Sequence, residues 1–167
     1  MSSLTLVKYP SSFLKQQAEA ISKVDANIEN LVERMFETMF ASDGVGLAAP
    51  QIGESKRLFI AAPEGIRGPR FTYINPELIS GSGTEKGPEG CLSFPGVFGE
   101  VERFKEIKVR YTDLQGEIRE KQLKGFVARI FQHEKDHLDG VLFVEHLGFN
   151  ERKAVLDEYK RLQQITL

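Results

Sequence analysis

GFVARIFQHEKDHLDG, residues Gly125 to Gly140, decides how the rest of this chain is read. Stepped at about 100° per residue from Arg129 at zero, Arg129, Gln132, Lys135, Asp136 and Asp139 fall between about 240° and 360°. His133, Phe126, His137, Ile130, Glu134, Val127, Leu138 and Phe131 follow one another from about 40° to about 200°. The spacing predicts an amphipathic helix over 125–139, with Gly125 at its start and Gly140 as its C-terminal stop. Both imidazoles and the Glu134 carboxylate lie inside the apolar face, where, unpaired, they cost on the order of several kcal/mol. A cation gripped by two His residues one turn apart offsets that cost. Glu134 then sits beside the ion as a proton carrier.

Outward from this helix, Ile28, Leu31, Val32, Met35, Phe36, Met39 and Phe40 recur at helical spacing. They predict a second amphipathic helix from about residue 25 to about 42, with Asp25 as cap and Gly44 just past its end. A glycine-marked loop, Gly44 to Gly53, follows. Strand-like segments occupy about 57–62, 71–80, 98–103, 105–112 and 117–123, the last two separated by the turn Asp113-Leu114-Gln115-Gly116. Val141 to Val144 reads as a short strand. Asn150 then caps a final helix to about residue 164, with Val155, Tyr159 and Leu162 as its apolar stripe. There is no repeat and no low-complexity tract. Helices and strands come in blocks, so the expected class is α+β: mainly antiparallel strands packed around the central HExxH helix, with N-terminal and C-terminal amphipathic helices.

Composition narrows the partners. A chain of 167 residues fits one domain, here 1–167, with a real core. Hydrophobic residues make up 41% and charged residues 28%, ordinary for a soluble globular protein. A net charge of -2 leaves no electrostatic footprint for nucleic acid or an anionic membrane. Met1 to Pro10 holds no apolar run of the length a secretory leader needs. Leu58 to Pro63 and Val141 to Val144 are far too short to span a bilayer. A single cysteine, Cys91, makes no internal disulfide, and the expected location is cytoplasmic.

A catalytic zinc-type site takes three protein ligands and one open position. The metzincin pattern H-E-x-x-H-x-x-G-x-x-H matches at Gly140 and fails at Phe143. Gluzincin-type peptidases use a Glu on a second helix, and Glu158 stands at a compatible distance after His137. Cys91, in Glu89-Gly90-Cys91-Leu92-Ser93, is the other option, because thiolates bind zinc and iron strongly. As a residue type, an unpaired cysteine is as often a small buried hydrophobe. The residues alone leave Glu158 and Cys91 both open.

Three separated motifs then coincide. Gly44-Val45-Gly46-Leu47-Ala48-Ala49-Pro50-Gln51, Glu89-Gly90-Cys91-Leu92-Ser93 and Gln132-His133-Glu134-Lys135-Asp136-His137-Leu138-Asp139-Gly140 resemble, in order, the three motifs of the peptide deformylase family. The span from 44 to 140 covers over half of the chain. The resemblance implies a metal-dependent hydrolase that removes the N-formyl group from the initiator methionine of new polypeptides and releases formate. It implies Cys91, His133 and His137 as ligands of one divalent metal, with Fe²⁺ expected and Ni²⁺, Co²⁺ or Zn²⁺ possible.

In that reading water on the metal becomes hydroxide near neutral pH and attacks the formyl carbonyl. Glu134 takes the water proton and hands it to the leaving amine. The Gln51 amide and the Leu92 N–H stabilise the oxyanion. Val45, Gly46 and Gly90 hold the substrate backbone, and Phe126 and Ile130 line the methionine pocket. The partners implied are formylmethionyl nascent chains, met in transient association with the ribosome. Some members carry an arginine seven residues after the metal cysteine, to meet the substrate's far end. Here that position is Phe98, with Arg103 as a possible substitute, which puts peptide-length preference in question. Two rivals stand beside this reading: a gluzincin-like endopeptidase using Glu158, and a structural metal module closed by His146.

Overall fold

The structure is a computed structural model that describes residues 4–165, without the side chain of Ile165. Residues 1–3 of the stretch read for a leader, and the last two residues, lie outside the described ones. Helix α1 (Ala26–Ala41) begins where the Asp25 carboxylate accepts from the Ile28 N–H at 3.0 Å. This cap satisfies one of the free amides of the first turn. Strands β1 (Gly46–Ala48), β2 (Leu58–Ala61), β3 (Phe71–Cys91), β4 (Phe94–Thr112) and β5 (Ile118–Lys124) form one antiparallel sheet in chain order. Helix α2 (Gly125–Leu138) leaves β5 without a linker, and α3 (Phe149–Ile165) follows a 3-10 turn at Phe143–His146. The class is α+β with three helices, as expected.

Strand β2 explains how the layers stack. All four of its residues are buried, so the strand is covered on both faces. Leu58 and Ile60 join α1 residues such as Met35 and Met39 in one apolar cluster. Phe59 and Ala61 join Phe131, Ile130 and Leu138 of α2 in another. The period of two in the strand thus sets α1 and α2 on opposite faces of the sheet. A third cluster packs Val155 and Tyr159 of α3 against Phe94, Val101 and Phe143. Among the described residues, no helix is long and apolar enough to cross a membrane.

Several boundaries differ from the sequence reading. The segments expected at 98–103 and 105–112 are one strand, β4, and the segment at 71–80 continues to Cys91 as β3. The loop of residues 44–53 contains β1 and a 3-10 turn at Ala49–Ile52. Val141–Val144 is not a strand. No neighbouring strand pairs with it, and the Leu142 N–H donates instead to the Glu145 carboxylate at 2.7 Å. Asn150 lies inside the first turn of α3, not at its cap, because the helical bonding already starts with Arg152 N–H to Gly148 O at 2.8 Å.

Candidate functional site

Helix α2 brings the site together, and its C-terminal end is fixed. Gly140, at φ 74, takes the left-handed conformation that stops the helix. Leu138 O, free of intrahelical partners, accepts from the Ala18 N–H at 2.9 Å and from Arg57 at 2.9 Å, and Arg57 also pairs with Asp139 at 2.7 Å. On the sheet side, Phe131 meets Phe59 and Tyr73 edge-on. Gln132, expected on the polar face, is buried. Its amide accepts from Phe104 N–H and donates to Phe104 O, both at 3.0 Å. This supplies β4 with the partner it lacks once β5 has ended opposite Glu106.

Cys91 closes the β3–β4 hairpin beside that helix. Its Sγ lies 3.3 Å from His137 Nε2, and one ligand atom each from Cys91, His133 and His137 falls within 4.8 Å of the others. These three residues are the ones the motifs singled out. Glu158 is not among them: it lies on the surface of α3, its side chain 47% exposed and paired with Arg161. His146 is not among them either, being bound to Asp136 at 2.8 Å. Both positions offered by the rival readings stand apart from the cluster.

The donor set fits a divalent transition metal. One sulfur and two imidazoles are a soft-to-borderline set that leaves coordination positions open. Two buried side-chain atoms among the described residues have no hydrogen-bond partner: Glu134 Oε1 and His137 Nδ1. Burial, with the charge of His133 next, pulls the His137 pKa down to about 3, so this imidazole is neutral and ready to ligate. Burial raises the Glu134 pKa to about 7, which suits a group that must both take and give a proton. For His133, burial opposes the charged form, but Glu134 first, then Cys91 and Glu89, raise its pKa well above the ordinary value.

Gln51 is a buried amide, 1% exposed, not an ordinary surface one. Its Oε1 accepts from Ala48 N–H at 3.0 Å. Its Nε2 donates to Ser93 Oγ at 3.1 Å and points at Cys91 Sγ at 3.4 Å. The carboxylate of Glu134 rests on Gly46, where a Cβ would stand 2.7 Å from Oε2. The bare face of this glycine therefore makes room for Glu134. Val45 O accepts from Ala62 N–H, so antiparallel alternation turns the amides of Gly46 and Ala48 away from β2. Gln51 takes the Ala48 amide, and Gly46 faces a cleft of about 480 Å³. Val45, Gly90, Leu92, Phe126 and Ile130 also line that cleft. Ile130 is buried, but Phe126 is 54% exposed at the mouth, although the wheel set it within the apolar face.

Two residues carry more of the site than the sequence reading assigned them. Glu89 binds His133 Nδ1 at 2.8 Å, accepts from Arg103 Nε and Nη2 at 2.9 Å each, and accepts from Arg129 at 2.7 Å. A carboxylate behind a ligating imidazole fixes its tautomer and ring orientation. Arg103, offered as a substrate contact, is instead buried between Glu89 and Asp136. The signal for Glu89 was present: a buried helix-borne His needs an outer partner, and this is the carboxylate two residues before Cys91. Burial alone would raise the Glu89 pKa, but hydrogen bonds and charge from Arg103 and His133 hold it far below the carboxylate range.

A stability prediction follows from the sign of that shift. A carboxyl depressed in the folded state contributes stability above its unfolded pKa, and the contribution is lost as pH falls through the folded value. Glu89→Gln should cost about 3 kcal/mol at pH 7, since it removes one of the two carboxylates that pair the buried Arg103 charge and leaves Asp136 alone to balance it. The gap to wild type should narrow steadily below about pH 4.5. Urea unfolding across pH 3–7 reads both. A gap independent of pH would show that the carboxylate charge is not what matters.

Comparison with known proteins gives consistent relatives. A family described as Polypeptide deformylase matches residues 3–153. The peptide deformylase of Thermotoga petrophila is 48% identical over 139 residues, 81% of this chain and 81% of that one. That of Aquifex aeolicus is 42% identical over 160 residues, 94% and 95% of the two chains. The crystal structure of a peptide deformylase from Legionella pneumophila superposes with a TM-score of 0.90 at 36% identity, covering 98% of each chain.

Proposed function

The chain belongs to the polypeptide deformylase family, and from that membership we propose how its own residues remove the formyl group from the N-terminal formylmethionine of new polypeptides. The observation that carries the proposal is the convergence of Cys91, His133 and His137, with the buried Glu134 carboxylate beside them, its Oε2 3.9 Å from His133 Nε2 and its Oε1 without a partner. In this reading residues 1–167 are one catalytic unit with α2 as its central element, since α2 supplies three of the four groups. A divalent cation held by the sulfur and the two imidazoles would polarise the formyl oxygen and lower the pKa of a water from about 15.7 toward about 7.

Glu134 is the proton carrier. Its carboxylate takes a proton from the attacking water and delivers one to the amine nitrogen as the C–N bond breaks. Without that delivery the amine would leave as a poor anion. The Gln51 Nε2–H, already aimed toward Cys91, and the Leu92 N–H are the donors for the oxyanion. Loss of one such donor costs about 2.7–4 kcal/mol of transition-state stabilisation. Gly46, whose amide faces the cleft, together with Val45 and Gly90, holds the substrate backbone as an added strand at the β1 edge. Ile130 and Phe126 take the methionine side chain. Glu89 holds His133, and Ser93 holds Gln51, so both act as positioning residues.

We further propose Fe²⁺ as the resident ion, with Ni²⁺, Co²⁺ and Zn²⁺ compatible with the same donors, and a transient meeting with the ribosome where nascent chains emerge. The test is formate release from formyl-Met-Ala-Ser by anaerobically purified protein loaded with Fe²⁺ or Ni²⁺. Stoichiometric formate with a free amine is the expected result. A folded, metal-loaded protein that yields none would falsify the assignment.

A further inference from the structure

We infer, on the basis of the deformylase reading above, that Tyr159 of α3 is a positioning residue for the oxyanion donors, acting through an N-terminal strap, residues 7–9. The sheet does not join the two donor segments directly. Gln51 follows β1 and Leu92 sits in the β3–β4 turn, while β2 lies between β1 and β3. The strap bridges them instead. Val7 N–H donates to Gln51 O at 2.7 Å, and Tyr9 N–H donates to Ser93 O at 2.9 Å. Val7 O accepts from the Ser93 hydroxyl at 2.7 Å. Tyr9 O accepts from the Tyr159 hydroxyl at 2.7 Å, which ties the strap to α3.

What the strap fixes is the direction of the Gln51 amide. A serine hydroxyl has one proton. Here that proton goes to Val7 O, so towards Gln51 the Ser93 oxygen can act as an acceptor alone. The end of the amide that meets it at 3.1 Å is therefore the nitrogen. The Ala48 N–H, at 3.0 Å, independently requires the oxygen at the other end. The second Nε2 hydrogen is left for the cleft side, where Cys91 Sγ lies 3.4 Å away. If Val7 O draws back, the hydroxyl proton is free to turn towards Gln51, and the amide loses the acceptor that holds its nitrogen. Both side chains are buried, so bulk water does not replace that partner. Packing accounts for the ring of Tyr159, which meets Tyr9 and Phe94 edge-on within the third apolar cluster. It does not account for the hydroxyl, since phenylalanine would fill the same space; the hydroxyl serves the strap.

The experiment is a double-mutant cycle on the metal-loaded protein, read as formate release from formyl-Met-Ala-Ser. Tyr159→Phe should lower kcat about three- to tenfold, a fraction of the roughly 10²-fold that a misplacement of about 1 Å can cost. KM, and metal affinity by chelator competition, should stay within about twofold of wild type. Ser93→Ala should lower kcat about ten- to hundredfold, less than outright loss of a donor. Adding Tyr159→Phe to Ser93→Ala should then change kcat by less than about twofold, because the hydroxyl through which the strap acts is gone. Val7→Pro removes the strap's bond to Gln51 O without touching α3, and should also lower kcat with KM unchanged. In Tyr159→Phe the Tyr9 amide should exchange about tenfold faster while the α1 amides do not change; circular dichroism verifies that the variants fold. Losses that multiply in the double variant, a loss that sits in KM, or wild-type kcat in Tyr159→Phe or Val7→Pro overturn the role of Tyr159 and leave the deformylase reading intact. Absence of formate from the wild type removes both.

Discussion

Glu134→Gln is expected to keep its metal, gain stability and lose nearly all turnover. The kinetic part follows from the proposed role of Glu134, in which two proton transfers pass through one carboxylate. Positioned acid–base groups contribute about 10²–10⁴-fold, and a group serving both steps belongs near the upper end. The stability part follows from its environment. Glu134 is buried, one oxygen has no partner, and burial raises its pKa from 4.5 to about 7. A carboxyl whose folded pKa is raised favours folding most below its unfolded pKa. That advantage disappears as pH climbs through the folded value. Metal-free wild type at pH 8 therefore carries an ionised buried carboxylate, only partly offset by His133, at a cost on the order of 3 kcal/mol, and the Gln variant does not. Urea unfolding at pH 5 and pH 8 should show the variant ahead at pH 8 and nearly level at pH 5. Parallel profiles would place Glu134 in water, and turnover within tenfold of wild type would remove it from proton transfer.

The opposition between activity and stability at Glu134 also explains why its helix was legible from sequence. A run whose apolar face contains two imidazoles and a carboxylate has no ordinary packing solution, so the 3.6-residue period and the misplaced charges together disclosed both element and chemistry. Helix α1 was legible for the simpler reason that its apolar stripe and Asp25 cap agree. What periodicity could not give was the second half of β3. Gly81, Gly83, Gly87, Pro88 and Gly90 are turn-forming residues, yet they lie in a strand because β4 pairs with them along nearly the whole length. Tertiary pairing overrode local preference there.

The site residues divide in a similar way. The metal candidates follow from residue type and motif, since few side chains bind transition metals. Glu89, Arg103 and Gln132 do not, because the same residue types on a surface are unremarkable. Their meaning comes from burial: Arg103 is inward-facing on β4 between Val101 and the partners Glu89 and Asp136, and Gln132 completes the edge of the strand beyond β5. Alternation along β4 places residue 103 on the same face as Val101, Ile107 and Val109. An arginine at an inward position requires an anion, and that requirement is met by Glu89, the buried carboxylate two residues before Cys91, and by Asp136.

Cys91→Ala should abolish stable metal binding while leaving the fold. Removal of an outer-shell partner typically costs about 10- to 100-fold in affinity, so Glu89→Ala is expected in that range. Loss of the sulfur itself should exceed a hundredfold, because two imidazoles alone do not complete a three-ligand site. Cobalt-loaded protein gives a direct readout: the sulfur-to-cobalt charge-transfer absorption should be present in wild type and Glu158→Ala and missing in Cys91→Ala. Chelator competition then ranks the affinities. Glu158 cannot take over without moving α3, since its carboxylate is engaged with Arg161 on the exposed side of that helix. His146 is likewise held by Asp136, on the far side of the Arg103 pair from His133. Folding should also survive chelation, because the three apolar clusters around α1, α2 and α3 are built from other side chains, with Cys91 alone of the ligands packed against one of them. A Cys91→Ala protein that retains metal, or a wild type that unfolds when its metal is stripped, would turn the centre from a catalytic one into a structural one.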